Sequence, residues 1–141
     1  MQGIKRNFRW LLLVLILSFN SCAPALYFDQ TSISNIEAVR QDAFKLLDRG
    51  TDDFSNYATE VNALKEKIDQ IIKYESSKGK ANAPVVNMWK SVKNSTGNLV
   101  NVFELWEKQG KLSSAFISES RPRIANLLNS ILIVEEHKSK R

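Results

Sequence analysis

A single cysteine, Cys22, and a single histidine, His137, are all the chain offers of two side chains central to much catalysis and metal binding. With one cysteine no internal disulfide can form. With one histidine and no second thiol, a nucleophile–base pair of the usual kind is missing. His137 follows Glu135 and Glu136 directly. Consecutive residues point in different directions around a helix, whereas a structural metal wants three or four converging ligands. The five glycines are scattered and form no phosphate-cradling loop. No apolar run approaches the roughly 20 residues of a spanning helix. Stretches that alternate with the period of a β-strand are also missing. The expectation is therefore a protein that is not an enzyme, with no catalytic, cofactor-binding or metal-ligating residue.

What is present begins at the N-terminus. Lys5, Arg6 and Arg9 precede an apolar run from Trp10 to Leu17, and Ser18-Phe19-Asn20-Ser21-Cys22 follows. A basic start, a short apolar stretch and a small-residue exit make an export signal. With Ser21 and Cys22 at its end, the segment resembles the signal peptide of bacterial lipoproteins. Phe19 and Asn20 depart from the strict form of that motif. The resemblance implies that residues 1–21 are removed and that Cys22 is acylated and becomes the new N-terminus. Ala23-Pro24-Ala25 offers a rival exit, at which ordinary signal peptidase would release a chain starting at Leu26. If the cell has an outer membrane, Ala23 after the cysteine fits the class sorted there, facing the periplasm.

The leader also explains the charge. Its three cations are part of the 20 Lys and Arg; the remaining 17 face all 15 acids, near balance. Such a surface does not suit nucleic acid. The exported part suits one domain with its own core.

Residues 22–33 read as a lipidated N-terminus and tether, and residues 34–141 as a helical domain. The aromatic pair Tyr27-Phe28 in the tether suits either the lipid headgroups or the domain surface. Ser34 and Glu37 have the spacing of a capping box, opening a first helical segment with Ile36, Val39, Ala43 and Leu46/Leu47 on one face. Gly50 is expected to end it in the left-handed conformation. A second segment is expected from Thr51-Asp52-Asp53 onward, its stripe Tyr57, Val61, Leu64, Ile68 and Ile71 stepping by four and three. After a loop over residues 76–83, Pro84 suits the first turn of a third segment.

The third stripe runs Val85, Met88, Val92, Ser95, Leu99, Val102, Trp106, and it keeps its phase across the weak stretch around Gly97. One helix with a weak waist is expected, with Gly97 opposite Ala125 and Ser95 opposite Leu127 on its antiparallel neighbour. Ser113 caps a fourth segment whose stripe is Ile117, Ser120, Ile124, Leu127, Ile131, Val134, with Pro122 inside it. The fold class is all-α: an up-down-up-down four-helix bundle behind a cleaved lipoprotein signal peptide.

Trp89 sits one residue off this third stripe, where an exposed tryptophan would make an interface anchor. The functional expectation is a small envelope lipoprotein, attached to the membrane through Cys22. It would act as a structural or accessory module that binds another envelope protein through a helical face. The alternative is a periplasmic carrier holding an apolar ligand between the bundle helices.

Overall fold

A computed structural model of the protein describes residues 26–94 and 98–138. The leader, Cys22, and the pairings proposed for Ser95 and Gly97 lie outside these residues. Among these described residues five α-helices follow in order: α1 (Gln30–Leu47), α2 (Ala58–Ser77), α3 (Ala83–Asn94), α4 (Leu99–Gln109) and α5 (Ser114–His137). α3 and α4 together form the third limb of the bundle. α1 packs between α2 and α5, and α3 likewise packs between α2 and α5, which closes the ring. The architecture is an all-α, up-down-up-down bundle. No helix among the described residues is long and apolar enough to cross a membrane.

The first helix starts earlier than the capping box suggests. Asp29 is its N-cap: the carboxylate accepts a hydrogen bond from the Thr31 backbone N–H at 2.9 Å. Asp29 satisfies an orphan donor directly, so the helix takes in Gln30–Ile33, four residues of the expected tether. Gly50 does not adopt a left-handed conformation; among the described residues only Gly79 and Gly110 have positive φ. A side chain at Gly50 would instead meet Ile117 Cδ1 at 2.8 Å. Its small size, not its freedom, suits that position. The second helix starts later than expected, at Ala58 after a 3-10 turn at Phe54–Asn56.

The expected single third helix is two. Asn98 is extended (φ −84°, ψ 180°) and caps a fresh start at Leu99. Its side-chain amide donates to the Ser91 carbonyl of α3 at 2.6 Å, bridging the interruption. Val92 and Leu99 are both fully buried, so the apolar phase does survive the break.

At one end of the bundle two loops are joined. The Leu112 N–H donates to the Gly50 carbonyl at 2.7 Å, and the Phe54 N–H donates to the Gly110 carbonyl at 2.8 Å. Trp106 fills the space beneath, its indole N–H donating to the Asp52 carbonyl at 3.0 Å, with the Phe54 and Tyr57 rings 5.5 and 5.6 Å away. The opposite end is built differently, and it is the end the N-terminal segment enters.

Candidate functional site

The stripes that build the core do not stop where the apolar residues stop. In α2 the buried positions run Val61, Leu64, Ile68, Ile71, Glu75. In α5 they run Ile117, Ser120, Ile124, Leu128, Ile131, Glu135. The α5 stripe thus corrects the expected one: Leu128 replaces Leu127 and Glu135 replaces Val134. Two successive four-residue steps around Ile124 rotate the buried face by one position. The first buried position of α1 is Ser32, and Asn82 precedes the first buried position of α3. Each limb of the bundle thus contributes one polar residue to its last layer: Ser32, Glu75, Asn82 and Glu135.

These four are tied together and to two lysines. Ser32 donates to Glu75 Oε1 at 2.5 Å. Asn82 Nδ2 donates to Glu75 Oε2 at 2.7 Å and to the Glu75 carbonyl at 2.9 Å. Lys138 Nζ bridges Asn82 Oδ1 at 2.6 Å and Glu135 Oε1 at 2.5 Å. Lys78 Nζ joins Glu75 Oε2 at 2.9 Å to Asp29 Oδ2 at 2.7 Å and also reaches Ser32 Oγ. Tyr74 donates its phenolic hydrogen to Asp29 Oδ2 at 2.5 Å.

Three carboxylates face two ammonium groups here, and among the described residues Glu135 Oε2 is buried without a partner. Burial pushes the Glu135 carboxyl above its ordinary value against the pull of Lys138. Burial also acts to raise Asp29, but its hydrogen bonds from Lys78, Tyr74 and the Thr31 N–H together hold it far below the usual carboxylate range. The hydrogen bond to Asp29 raises the Tyr74 phenol. Burial works against the charged Lys78, yet its bonds to Asp29 and Glu75 leave it raised.

A second feature lies on the flank, where α1 meets α2. A cleft of about 340 Å³ has Leu46, Leu64 and Tyr57 toward its floor and Lys45, Arg49, Lys67, Asp42 and Glu60 around it. Lys67 pairs with Asp42 across it. Among the described residues Lys45, Arg49 and Glu60 form no ion pair, leaving two cations and one acid uncommitted on the rim. An apolar floor of this size with a few charged groups at its edge is the usual make-up of a binding site.

Trp89, the anticipated interface anchor, is 1 % exposed and belongs to the core. It takes the inward position expected of Met88, which is only half-buried. Tyr74 is committed to Asp29. His137 is exposed, its Nδ1 lying 2.7 Å from the Ile133 carbonyl. Among the described residues, no three His, Cys, Asp or Glu side chains are placed to hold a metal. Glu75 and Glu135 were missed by sequence reasoning: Glu75 lies four residues past Ile71, the last apolar member of its stripe, whereas Glu135 joins its stripe only through the rotated face of α5, which the apolar spacing did not show. Compared with known proteins, the chain matches no family model, no curated protein and no solved structure.

Proposed function

We propose that this is a lipid-anchored protein of the bacterial cell envelope, held at Cys22, whose α1–α2 cleft receives an apolar, acidic segment of another envelope protein. The lipoprotein-like leader supports the anchor and, through Ala23, an outer-membrane position facing the periplasm. The observation that carries the binding role is the cleft: an apolar floor beside Lys45 and Arg49, two cations without ion-pair partners among the described residues. A segment with a carboxylate next to an apolar side chain would fill the floor and pair the rim. The role is binding rather than catalysis. The carrier reading uses the same cleft for a small apolar ligand, whose size range it meets.

A photo-crosslinking amino acid at Ala63, which lines the cleft, tests this in intact cells, with Glu104 on α4 as the control site. The expected result is a discrete protein adduct from position 63 and none from 104. Reversing Lys45→Glu and Arg49→Glu should weaken the adduct roughly tenfold, the loss that about 1.4 kcal/mol of pairing would give. Equal labelling from both sites would overturn the proposal. An adduct with the mass of a small molecule would favour the carrier.

A further inference from the structure

The described residues include three exposed large hydrophobic side chains: Tyr27 at 68 %, Ile133 at 54 % and Val134 at 36 %. All three belong to the end of the bundle that the N-terminal segment enters. Leu26, next to Tyr27, lines a shallow groove together with Ile133, Val134, His137 and Lys138. Val134, which the rotated stripe turned out of the core, and its neighbour Ile133 are therefore gathered beside the first described residues of the chain. Surface apolar residues scattered singly need no explanation, but a gathered patch marks a contact surface.

The length of chain before the patch says what covers it. Leu26 follows Cys22 by four residues, which reach about 14 Å when fully extended. An acylated Cys22 lies at the bilayer surface. Leu26, and the groove it lines, then cannot be farther from that surface than this short reach. We propose that the patch of Leu26, Tyr27, Ile133 and Val134 is a membrane-docking face, seated in the headgroup–acyl boundary of the bilayer that holds the anchor. This rests on the lipoprotein reading given above. Apolar side chains suit that boundary, and tyrosine suits it further, with an apolar ring and a polar hydroxyl. The sequence continues past the groove with Lys140 and Arg141, the sign of charge that anionic headgroups attract. Docked this way, the bundle stands with its polar end layer toward the membrane and its joined loops away from it. The α1–α2 cleft stays open to the aqueous side.

Cys22 is the only cysteine of the chain, so its acylation leaves one introduced thiol free for labelling. The full acylated protein carrying Ile133→Cys and a nitroxide is reconstituted into vesicles of phosphatidylethanolamine and phosphatidylglycerol; Val134→Cys is the second variant and Lys111→Cys, in a distal loop, the control. Vesicle flotation reports the anchor. Collisions with dissolved oxygen and with a water-soluble nickel chelate report depth. The expected result is a label at 133 and at 134 that meets oxygen more than chelate, with chelate accessibility several-fold below that at 111. Protein that floats while positions 133 and 134 remain as open to chelate as 111 would overturn the docking face and leave the anchor standing. Spin–spin broadening at a water-exposed 133 would assign the patch to a second copy and also overturn it. Protein that fails to float would overturn the anchor and this inference together.

Discussion

Among the described residues Glu135 carries an unpartnered carboxylate oxygen in a fully buried layer, and that makes its charge costly to the fold. An unsatisfied buried polar group costs on the order of 1–3 kcal/mol. Its folded-state pKa lies above that of the unfolded chain, so the folded state holds this proton more tightly. Glu135 therefore favours folding at pH below its ordinary value near 4.5, and that contribution is lost as pH rises through the folded value. Glu135→Gln, which leaves two carboxylates against two ammonium groups, should melt higher than the parent at neutral pH and show a flatter slope above pH 4.5. Thermal melts from pH 4 to 8 check this; a variant that melts lower throughout would mean the charged pair with Lys138 dominates.

Asp29 acts in the opposite sense. Its folded-state pKa is depressed, so its contribution is present above the ordinary value of about 3.8 and is lost as pH falls below it. Asp29→Asn keeps a good N-cap residue but removes the charge that Lys78 and Tyr74 face. The acid limb of the stability curve should flatten in that variant, which urea titrations between pH 2 and 5 would show. An unchanged acid limb would place the acid sensitivity elsewhere. Neither glutamate of the end layer was recognised from sequence, because a charged residue at the end of a stripe reads as the point where the stripe leaves the core. Only the convergence of Ser32 and Asn82 from other limbs makes a polar layer of them.

At the scale of elements, the stripe of α2 was the most legible feature of the chain. Val61, Leu64, Ile68 and Ile71 are all buried as their spacing required. Ile68, at the centre, is fully buried, and Ile68→Ala should cost roughly 2–5 kcal/mol; an unchanged melting temperature would contradict the packing of this face. The third limb was legible in phase but not in continuity. Hydrophobic spacing reports which side of a limb faces inward and is blind to a local interruption that preserves that side. Asn98 marks the interruption by donating to the Ser91 carbonyl. Asn98→Ala should leave that carbonyl uncovered and destabilise by about 1 kcal/mol, measured by urea unfolding, with loss of helical signal confined to this limb. Helix boundaries were the least legible. Asp29 and Ser34 both suit an N-cap by type, and it is the Lys78 and Tyr74 side chains arriving from α2 that tie Asp29 down.

At the scale of the molecule, the two ends of the bundle are made of different material. The joined-loop end is closed by Trp106 and two backbone hydrogen bonds; the other is closed by a charged network with an apolar patch at its rim. A buried charged network is weak evidence for stability, since hydrophobic replacements of similar volume often do as well. Breaking it by removing one partner is another matter: Glu75→Ala, which strands Lys78, Ser32 and Asn82, should cost about 3–5 kcal/mol. The all-α class and the four-limbed arrangement were readable from periodicity alone. The cleft was not, because its lining comes from the flanks of two helices whose relative placement no single-helix pattern encodes.

The proposed membrane arrangement turns on Cys22. In that proposal Cys22 would supply the anchor, the short reach to Leu26 and the membrane-facing orientation of the polar end. The most direct test is the intact mass of the native protein purified from its membranes. A lipid-anchored protein gives a chain that begins at Cys22 and carries the added mass of acyl chains. A chain that begins at Leu26, with no lipid attached, would contradict it.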